Sequence, residues 1–258
     1  MKELTIDCPR VEKTLVGFIR EEVEKAGFSR VVFGLSGGLD SAVSAYLAQR
    51  ALGASHVIGV IMPYRTTSKE SLDDARLVAD TLGIETQHID ITSFVDPYFA
   101  LFPEADHIRR GNKIARERMT ILYDLSRKYE ALVLGTGNKS ELLMGYFTIY
   151  GDGAYALNPL GDLYKTQVRQ LARNLGVPAR IIDKVPSAEL WQGQTDEDDL
   201  GFTYEELDRI LYYLVDRQHT LERMAEMGFD RKAVEKVRKQ IARNEFKRRL
   251  PLIARIST

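Results

Sequence analysis

Along the first 140 residues, short apolar runs alternate with longer stretches in which apolar positions recur every three or four residues. Val11, Leu15, Phe18, Ile19 and Val23, with Glu, Lys and Arg between them, describe one face of a helix that Gly27 stops. Residues 31–35 form a continuous apolar run, interrupted by Ser36-Gly37-Gly38 and followed by a helix from Asp40 to about Leu52, closed at Gly53. The run 57–62 reads as a strand covered on both faces, ended by Pro63. Ser68 caps a helix carrying Leu72, Ala75, Val78, Ala79 and Leu82 up to Gly83. Residues 88–91 predict a third short strand, Pro97 and Pro103 fall in a looser connection, and a long helix follows over 112–129. A fourth strand, 131–134, ends at Gly135-Thr136-Gly137. Strands alternating with helices imply right-handed crossovers and a parallel sheet, so the class is α/β.

Beyond Met144 the pattern changes. Residues 145–161 are rich in Gly and Tyr and read as loop; 165–175 is a helix ended by Gly176, and Pro178 starts another. Residues 186–201 have no period and many acids, which predicts an exposed, flexible segment whose acids are solvated. Thr203 caps the first of several polar helices with narrow apolar stripes, so the chain ends in a helical extension. The layout is one domain over 1–258: an α/β core over 1–185, the loop, and a helical part over 202–258. The basic residues between Arg231 and Arg249 read as a helix face, with a phosphate-contacting patch as the sharper alternative.

Composition narrows the classes. A net charge of −1 gives no electrostatic reason to expect nucleic acid. One cysteine, Cys8, excludes an intramolecular disulfide and any CxxC motif, and the four histidines form no HxxxH pair. No apolar run approaches the roughly 20 residues of a membrane span, and the N-terminus lacks the regions of a signal peptide. A soluble, cytoplasmic protein is the expectation.

The stretch Gly34-Leu35-Ser36-Gly37-Gly38-Leu39-Asp40-Ser41 carries the chemistry. It reads as strand, tight loop and helix, with two glycines that let an anion approach the backbone. Ser36 and Ser41 add hydroxyl donors, and the helix start offers unpaired N–H groups and a positive dipole end. Asp40 places a carboxylate where a magnesium ion bridging phosphates takes an oxygen ligand. Neither GxxxxGK[ST] nor GxGxxG is present. In parallel sheets ligands bind beyond the carboxyl ends of the strands, so this loop and the Thr136 loop should share one crevice.

The Ser-Gly-Gly-x-Asp-Ser string resembles the pyrophosphate-binding loop of the N-type ATP pyrophosphatases. Together with 115–119 (Ala-Arg-Glu-Arg-Met), 135–141 (Gly-Thr-Gly-Asn-Lys-Ser-Glu), 161–168 (Gly-Asp-Leu-Tyr-Lys-Thr-Gln-Val) and 186–190 (Pro-Ser-Ala-Glu-Leu), in that order, it resembles the ammonia-dependent NAD synthetases over nearly the whole chain. The resemblance implies a doubly wound, Rossmann-like parallel sheet of the adenine nucleotide α-hydrolase type. It implies adenylation of the carboxylate of nicotinate adenine dinucleotide (deamido-NAD) by ATP, then amination by ammonia. Carried over by position, Gly34 to Ser41, Thr136, Lys165 and Ser187 would bind ATP, with Met62 and Arg65 at the adenine. Asp40, Ser36 and Lys165 would be catalytic; Asp40 and Glu141 would ligate Mg2+. Arg116, Lys247 and Arg248 would contact deamido-NAD, at the interface of a homodimer.

Two positions depart from the family pattern. Ile149 stands where many members have Lys, and Ala156 where they have Asp; both positions usually touch the dinucleotide. Phe246 similarly replaces the His of a C-terminal His-Lys-Arg. The motif loop begins about 30 residues in, too early for a preceding amidotransferase domain of ordinary size, and Cys8 has no activating surroundings. Free ammonia, or ammonia from a separate donor protein, is therefore the expected nitrogen source. The rival readings are another N-type ligase acting on a different carboxylate and a nucleotide-binding sensor without turnover. A tRNA-modifying relative should be more basic or carry paired cysteines. A sensor could dispense with the two magnesium carboxylates.

Overall fold

The computed structural model describes residues 2–191, 193–254 and 256. Its centre is a four-stranded parallel sheet of β1 (Arg30–Gly34), β2 (Val57–Ile61), β3 (Glu85–His88) and β4 (Ala131–Val133), in the order β3-β2-β1-β4. Alternate residues of β1, β2 and β4 serve two cores. Val31, Phe33, Val57 and Ile61 pack with α1 (Cys8–Lys25), α2 (Leu39–Leu52), α3 (Lys69–Leu82) and α7 (Lys165–Leu175). Val32, Ile58, Val60, Ala131 and Val133 pack with α4 (Thr92–Ala100) and α5 (His107–Tyr129) on the other face. The sheet is thus covered on both sides, which is why its central strands read as unbroken apolar runs.

The chain winds outward from β1 through α2 and α3 to β3, then crosses beneath the sheet through α4 and α5 to β4 on the far side of β1. The order reverses between β1 and β4, so the loops leaving these strands diverge and open a crevice. Residues 156–157 lie beside β4, with the Ala156 N–H donating to the Val133 carbonyl at 2.9 Å and Leu157 bridging Leu134.

A third core joins the remaining helices: α6 (Lys139–Met144), α9 (Asp196–Leu200), α10 (Tyr204–Leu211), α11 (Leu221–Glu226) and α12 (Arg231–Arg243). The short α8 (Ala179–Ile182), which follows α7, packs into the first core through Ile181 and Ile182. Buried members of the third core include Met144, Tyr164, Leu200, Tyr204, Leu207, Val234 and Val237, with Leu4 from the N-terminus. A π-helical turn, 212–216, follows α10.

Three expectations differ from the structure. The third strand lies at 85–88 rather than 88–91, because β3 is an edge strand with mostly exposed side chains (Glu85, Thr86, His88) and so lacks an apolar run. Pairing does extend further, with the Ile89 and Ile91 N–H groups donating to Ile61 and Pro63 carbonyls at 2.9 Å. Pro97 sits inside α4 instead of in an open connection. Proline costs one helical hydrogen bond, which burial of Val95 and Phe99 against the sheet offsets. The long helix begins at His107, capped by Asp106, whose side chain accepts from the Arg109 N–H at 2.8 Å.

The glycine-rich turn is pressed onto the first turn of α3. Gly37 has φ +81°, and a Cβ there would lie 2.1 Å from the Ser71 carbonyl oxygen. Gly38 has φ −86°, and its Cβ would meet nothing closer than Ser36 Oγ at 3.4 Å. Gly37→Ala is therefore expected to cost at least about 2 kcal/mol, and Gly38→Ala less than about 1 kcal/mol, in urea unfolding. Equal costs at the two positions would contradict the close contact with α3.

Candidate active site

The crevice at the order reversal holds a cavity of about 610 Å³ lined by the turn 34–41, the β4 loop 133–137 and the segment 184–191. Within the turn, the Ser36 N–H donates to Ser41 Oγ at 3.3 Å, the two hydroxyls lie 3.0 Å apart, and the Gly38 N–H donates to Ser36 Oγ at 3.2 Å. These bonds curl the loop. Gly38 is the N-cap of α2 and has no side chain to accept from the first amides of the helix. The amides of Leu39, Asp40 and Ser41, in the first turn of α2, have no carbonyl partner within that helix, the arrangement that suits an anion.

Lys165 is the centre of the charged part. It is the first residue of α7, 3% exposed, and its Nζ pairs with Asp40 Oδ2 and lies 3.7 Å from Glu141 Oε1. Asn138 completes the cluster, donating from Nδ2 to Asp40 Oδ1 at 3.3 Å. Asn138 also forms a capping box on α6: its Oδ1 accepts from the Glu141 N–H at 3.0 Å, and Glu141 Oε2 accepts from the Asn138 N–H at 3.1 Å. The reciprocal cap fixes the Glu141 carboxylate over the crevice. Burial and the neighbouring Asp40 raise the Glu141 carboxyl well above its usual range, against the lowering by Lys165. Burial works against the Lys165 charge, yet Asp40, Glu141 and Asp196 together raise its pKa above the ordinary lysine range.

Two repelling carboxylates beside an anion-binding turn suit a divalent cation. Magnesium takes one or two carboxylates plus phosphate oxygens and keeps several waters, and Asp40 and Glu141 provide that donor set. Among the described residues no three carboxylates, histidines or cysteines cluster into a cage, which also fits an ion held largely by its substrate.

The family model described as NAD synthase matches residues 11–251. The chain belongs to the NAD synthase family. NH(3)-dependent NAD(+) synthetases from Trichlorobacter lovleyi and Fusobacterium nucleatum are 51% and 48% identical to it, over 100% and 99% of this chain and 94% and 99% of theirs. Among solved structures, NMN synthetase from Francisella tularensis is similar at a TM-score of 0.86 and 35% identity, over 97% of this chain and 99% of that one. NH3-dependent NAD synthetase from Campylobacter jejuni is similar at 0.83 and 34%, over 97% and 100%.

Of the positions taken from the resemblance to this family, Gly34, Leu35, Ser36, Gly38 to Ser41, Met62, Thr136, Glu141, Lys165, Ser187 and Lys247 all line the one cavity. Gly37 lies behind the turn against α3. Three others are placed elsewhere. Arg65 pairs with Asp96 at 3.0 Å and is 58% exposed, away from the lining. Arg116 is exposed, with Nε donating to the Ile149 carbonyl at 3.2 Å. Arg248 donates to the carbonyls of Leu142, Leu143 and Ile241, so its guanidinium closes the end of α6. Lys247 donates to the carbonyls of Gly145 and Phe147 at 2.7 and 2.9 Å and braces the loop that contains Ile149.

In the segment 186–201, Asp198 and Asp199 are exposed as expected, but the reading of the acids as solvated fails at Asp196. Asp196 is 5% exposed, and its two oxygens accept from the hydroxyls of Tyr146 (3.2 Å) and Tyr204 (3.1 Å) beside Lys165. Asp199 accepts from Tyr146 and Gln194 at 2.7 and 2.9 Å. Glu189, at φ +49°, reaches across to α3, accepting from the hydroxyls of Ser68 (2.9 Å) and Ser71 (2.7 Å). This holds Ser187, Leu190 and Trp191 over the cavity; Gln192 lies outside the described residues. Arg118 is a further lining residue, its Nε donating to the Met62 carbonyl at 3.1 Å. Nothing local in the sequence marks Asp196 as buried, since its partners are tyrosines 8 and 50 residues away.

Removing the shared ammonium leaves Asp40, Glu141 and Asp196 uncompensated. Lys165→Met is expected to cost about 3–5 kcal/mol at pH 8. A raised carboxyl favours the fold below its unfolded pKa and loses that contribution as pH rises through its folded value. Glu141 loses the cation that lowers its pKa in this variant, so the deficit should shrink at pH 5 as Glu141 and Asp196 take up protons. Denaturant unfolding of both proteins at pH 5 and 8 tests this; a pH-independent gap would contradict the shared-cation arrangement.

Proposed function

We propose that the protein is an ammonia-dependent NAD synthetase that converts deamido-NAD, ATP and ammonia into NAD, AMP and pyrophosphate. The observation that carries this reading is the Asp40–Lys165–Glu141 cluster beside the amide-lined turn, at the reversal of strand order. A carboxylate is a poor electrophile, and oxide is not a usable leaving group. Attack of the nicotinate carboxylate oxygen on the α-phosphorus, with pyrophosphate leaving, gives an acyl-adenylate. Ammonia then attacks the acyl carbon, AMP departs, and the amine loses a proton.

In this reading the amides and hydroxyls of 36–41 hold the departing pyrophosphate, and Lys165 neutralises charge between the α- and β-phosphates. Such catalysis is mainly positioning and electrostatic stabilisation. Asp40 and Glu141 would hold Mg2+, whose role is to spread charge over the pyrophosphate oxygens. Met62 and Thr136 would border the adenosine, and Ser187 would approach ATP from the segment held by Glu189. Free ammonia, or a separate donor protein, supplies the nitrogen. We place the enzyme in the cytoplasm as a homodimer; no helix among the described residues is long and apolar enough to cross a membrane.

A second reading takes the deamido mononucleotide as substrate. Ile149 and Ala156 favour it, since both lack the polar groups of the family pattern for the dinucleotide, and a similar structure is an NMN synthetase. One assay separates these readings: Mg-ATP and ammonium with deamido-NAD or with deamido-NMN, following pyrophosphate and amide together. NAD formed in step with pyrophosphate, and reduced at least a thousandfold in Asp40→Ala, is the expected result. Preference for the mononucleotide would select the second reading, and no pyrophosphate with either would remove both.

A further inference from the structure

We propose that Asp208, on α10, is a positioning residue that sets the active-site geometry of both Lys165 and Glu141. This rests on the reading of Lys165 as a phosphate-contacting group. The N-cap position of α7 is Tyr164, whose side chain caps no amide of the helix. The cap comes instead from distant residues. The Thr166 N–H donates to Asp208 Oδ2 at 2.8 Å, and the Lys165 N–H donates to Ser140 Oγ at 3.0 Å. The Ser140 hydroxyl in turn donates to Asp208 Oδ1 at 2.5 Å. One carboxylate therefore satisfies the first two amides of α7, one directly and one through a hydroxyl.

Ser140 immediately precedes Glu141 in the first turn of α6. The same relay thus fixes the spacing between the helix starts that carry the ammonium and the carboxylate. Asp208 is fully buried, and among the described residues no lysine or arginine pairs with it. Its charge is compensated by the positive end of α7 and by these donors. A buried carboxylate without a cation is costly, and burial raises its pKa to about 6. Retaining one here is physically sensible if its acceptor pattern is needed, because an amide cannot reproduce it. In Asp208→Asn the amide NH2 or its oxygen can meet Ser140 or Thr166, but the residue no longer accepts from both. Tyr204, one turn earlier on α10, lies 5.3 Å under the Lys165 ammonium, so α10 supports both ends of the lysine.

The test is steady-state kinetics of NAD formation for Asp208→Asn, Ser140→Ala, the double variant and Lys165→Met, each checked by thermal unfolding. Asp208→Asn should lower kcat at least tenfold in folded protein, with KM for deamido-NAD within about twofold. Ser140→Ala should lower kcat at least threefold. The double variant should be no slower than Asp208→Asn by more than about twofold, since both act through one relay. Unchanged kcat in folded Asp208→Asn, or single effects that multiply in the double variant, would overturn the proposal. If Asp208→Asn does not fold, an unchanged kcat in Ser140→Ala overturns it. Lys165→Met separates the two readings. If that variant is harmless, the role given to Lys165 falls; if it is damaging and folded Asp208→Asn is not, only the positioning role falls.

Discussion

Lys165 brings its ammonium to a point where Asp40, Glu141 and Asp196 would otherwise repel one another, and these residues arrive on four different helices. Charges in such a place are tolerated only while they are paired and hydrogen-bonded. The start of α2, the start of α6, the start of α7 and the start of α9 must therefore converge. Convergence of helix N-termini is also what an anionic triphosphate requires. The convergence that brings the ammonium among these carboxylates is thus the same one that an anion-binding crevice needs.

The sheet determines where that convergence happens. With the order β3-β2-β1-β4, the chain leaves β1 toward one side and returns to β4 on the other, so the loops after these strands cannot fill the gap between them. Gly37 lets the β1 loop settle onto α3 within contact distance of its backbone, leaving the amides ahead of α2 turned to the crevice. The same α3 start holds Glu189 through Ser68 and Ser71. The anion-binding turn and the segment that covers it thus rest on one helix.

Much of this was legible because each signal was local. Apolar runs bracketed by Gly or Pro gave β1, β2 and β4 within a residue or so, and Ser68 and Thr203 gave their caps. The glycine-rich turn at the start of α2 was legible because its pattern is contained in six consecutive residues. β3 was displaced because an edge strand has no need of apolar side chains on both faces. The helix around Pro97 was hidden because proline is a local stop signal, while burial of Phe99 is a tertiary gain. Asp196 read as solvated because acids in an aperiodic stretch usually are; its burial depends on Tyr146 and Tyr204. Arg248 is a charge whose partners are helix-end carbonyls, a use that no spacing rule distinguishes from substrate contact.

The helical part after residue 202 therefore has a role beyond covering surface. Tyr204 and Asp208 reach Lys165 and its neighbours from α10, while Lys247 and Arg248 hold the chain that follows α6. Tyr204 and Asp208 are buried on the same side of α10 as Leu207, Ile210 and Leu211, so the packing of that stripe holds both against α6 and α7. Loosening that third core would release the carboxylate and hydroxyl that align the starts of α6 and α7. Packing of the C-terminal helices in this way fixes distances at the start of α7, some 40 residues upstream in the chain.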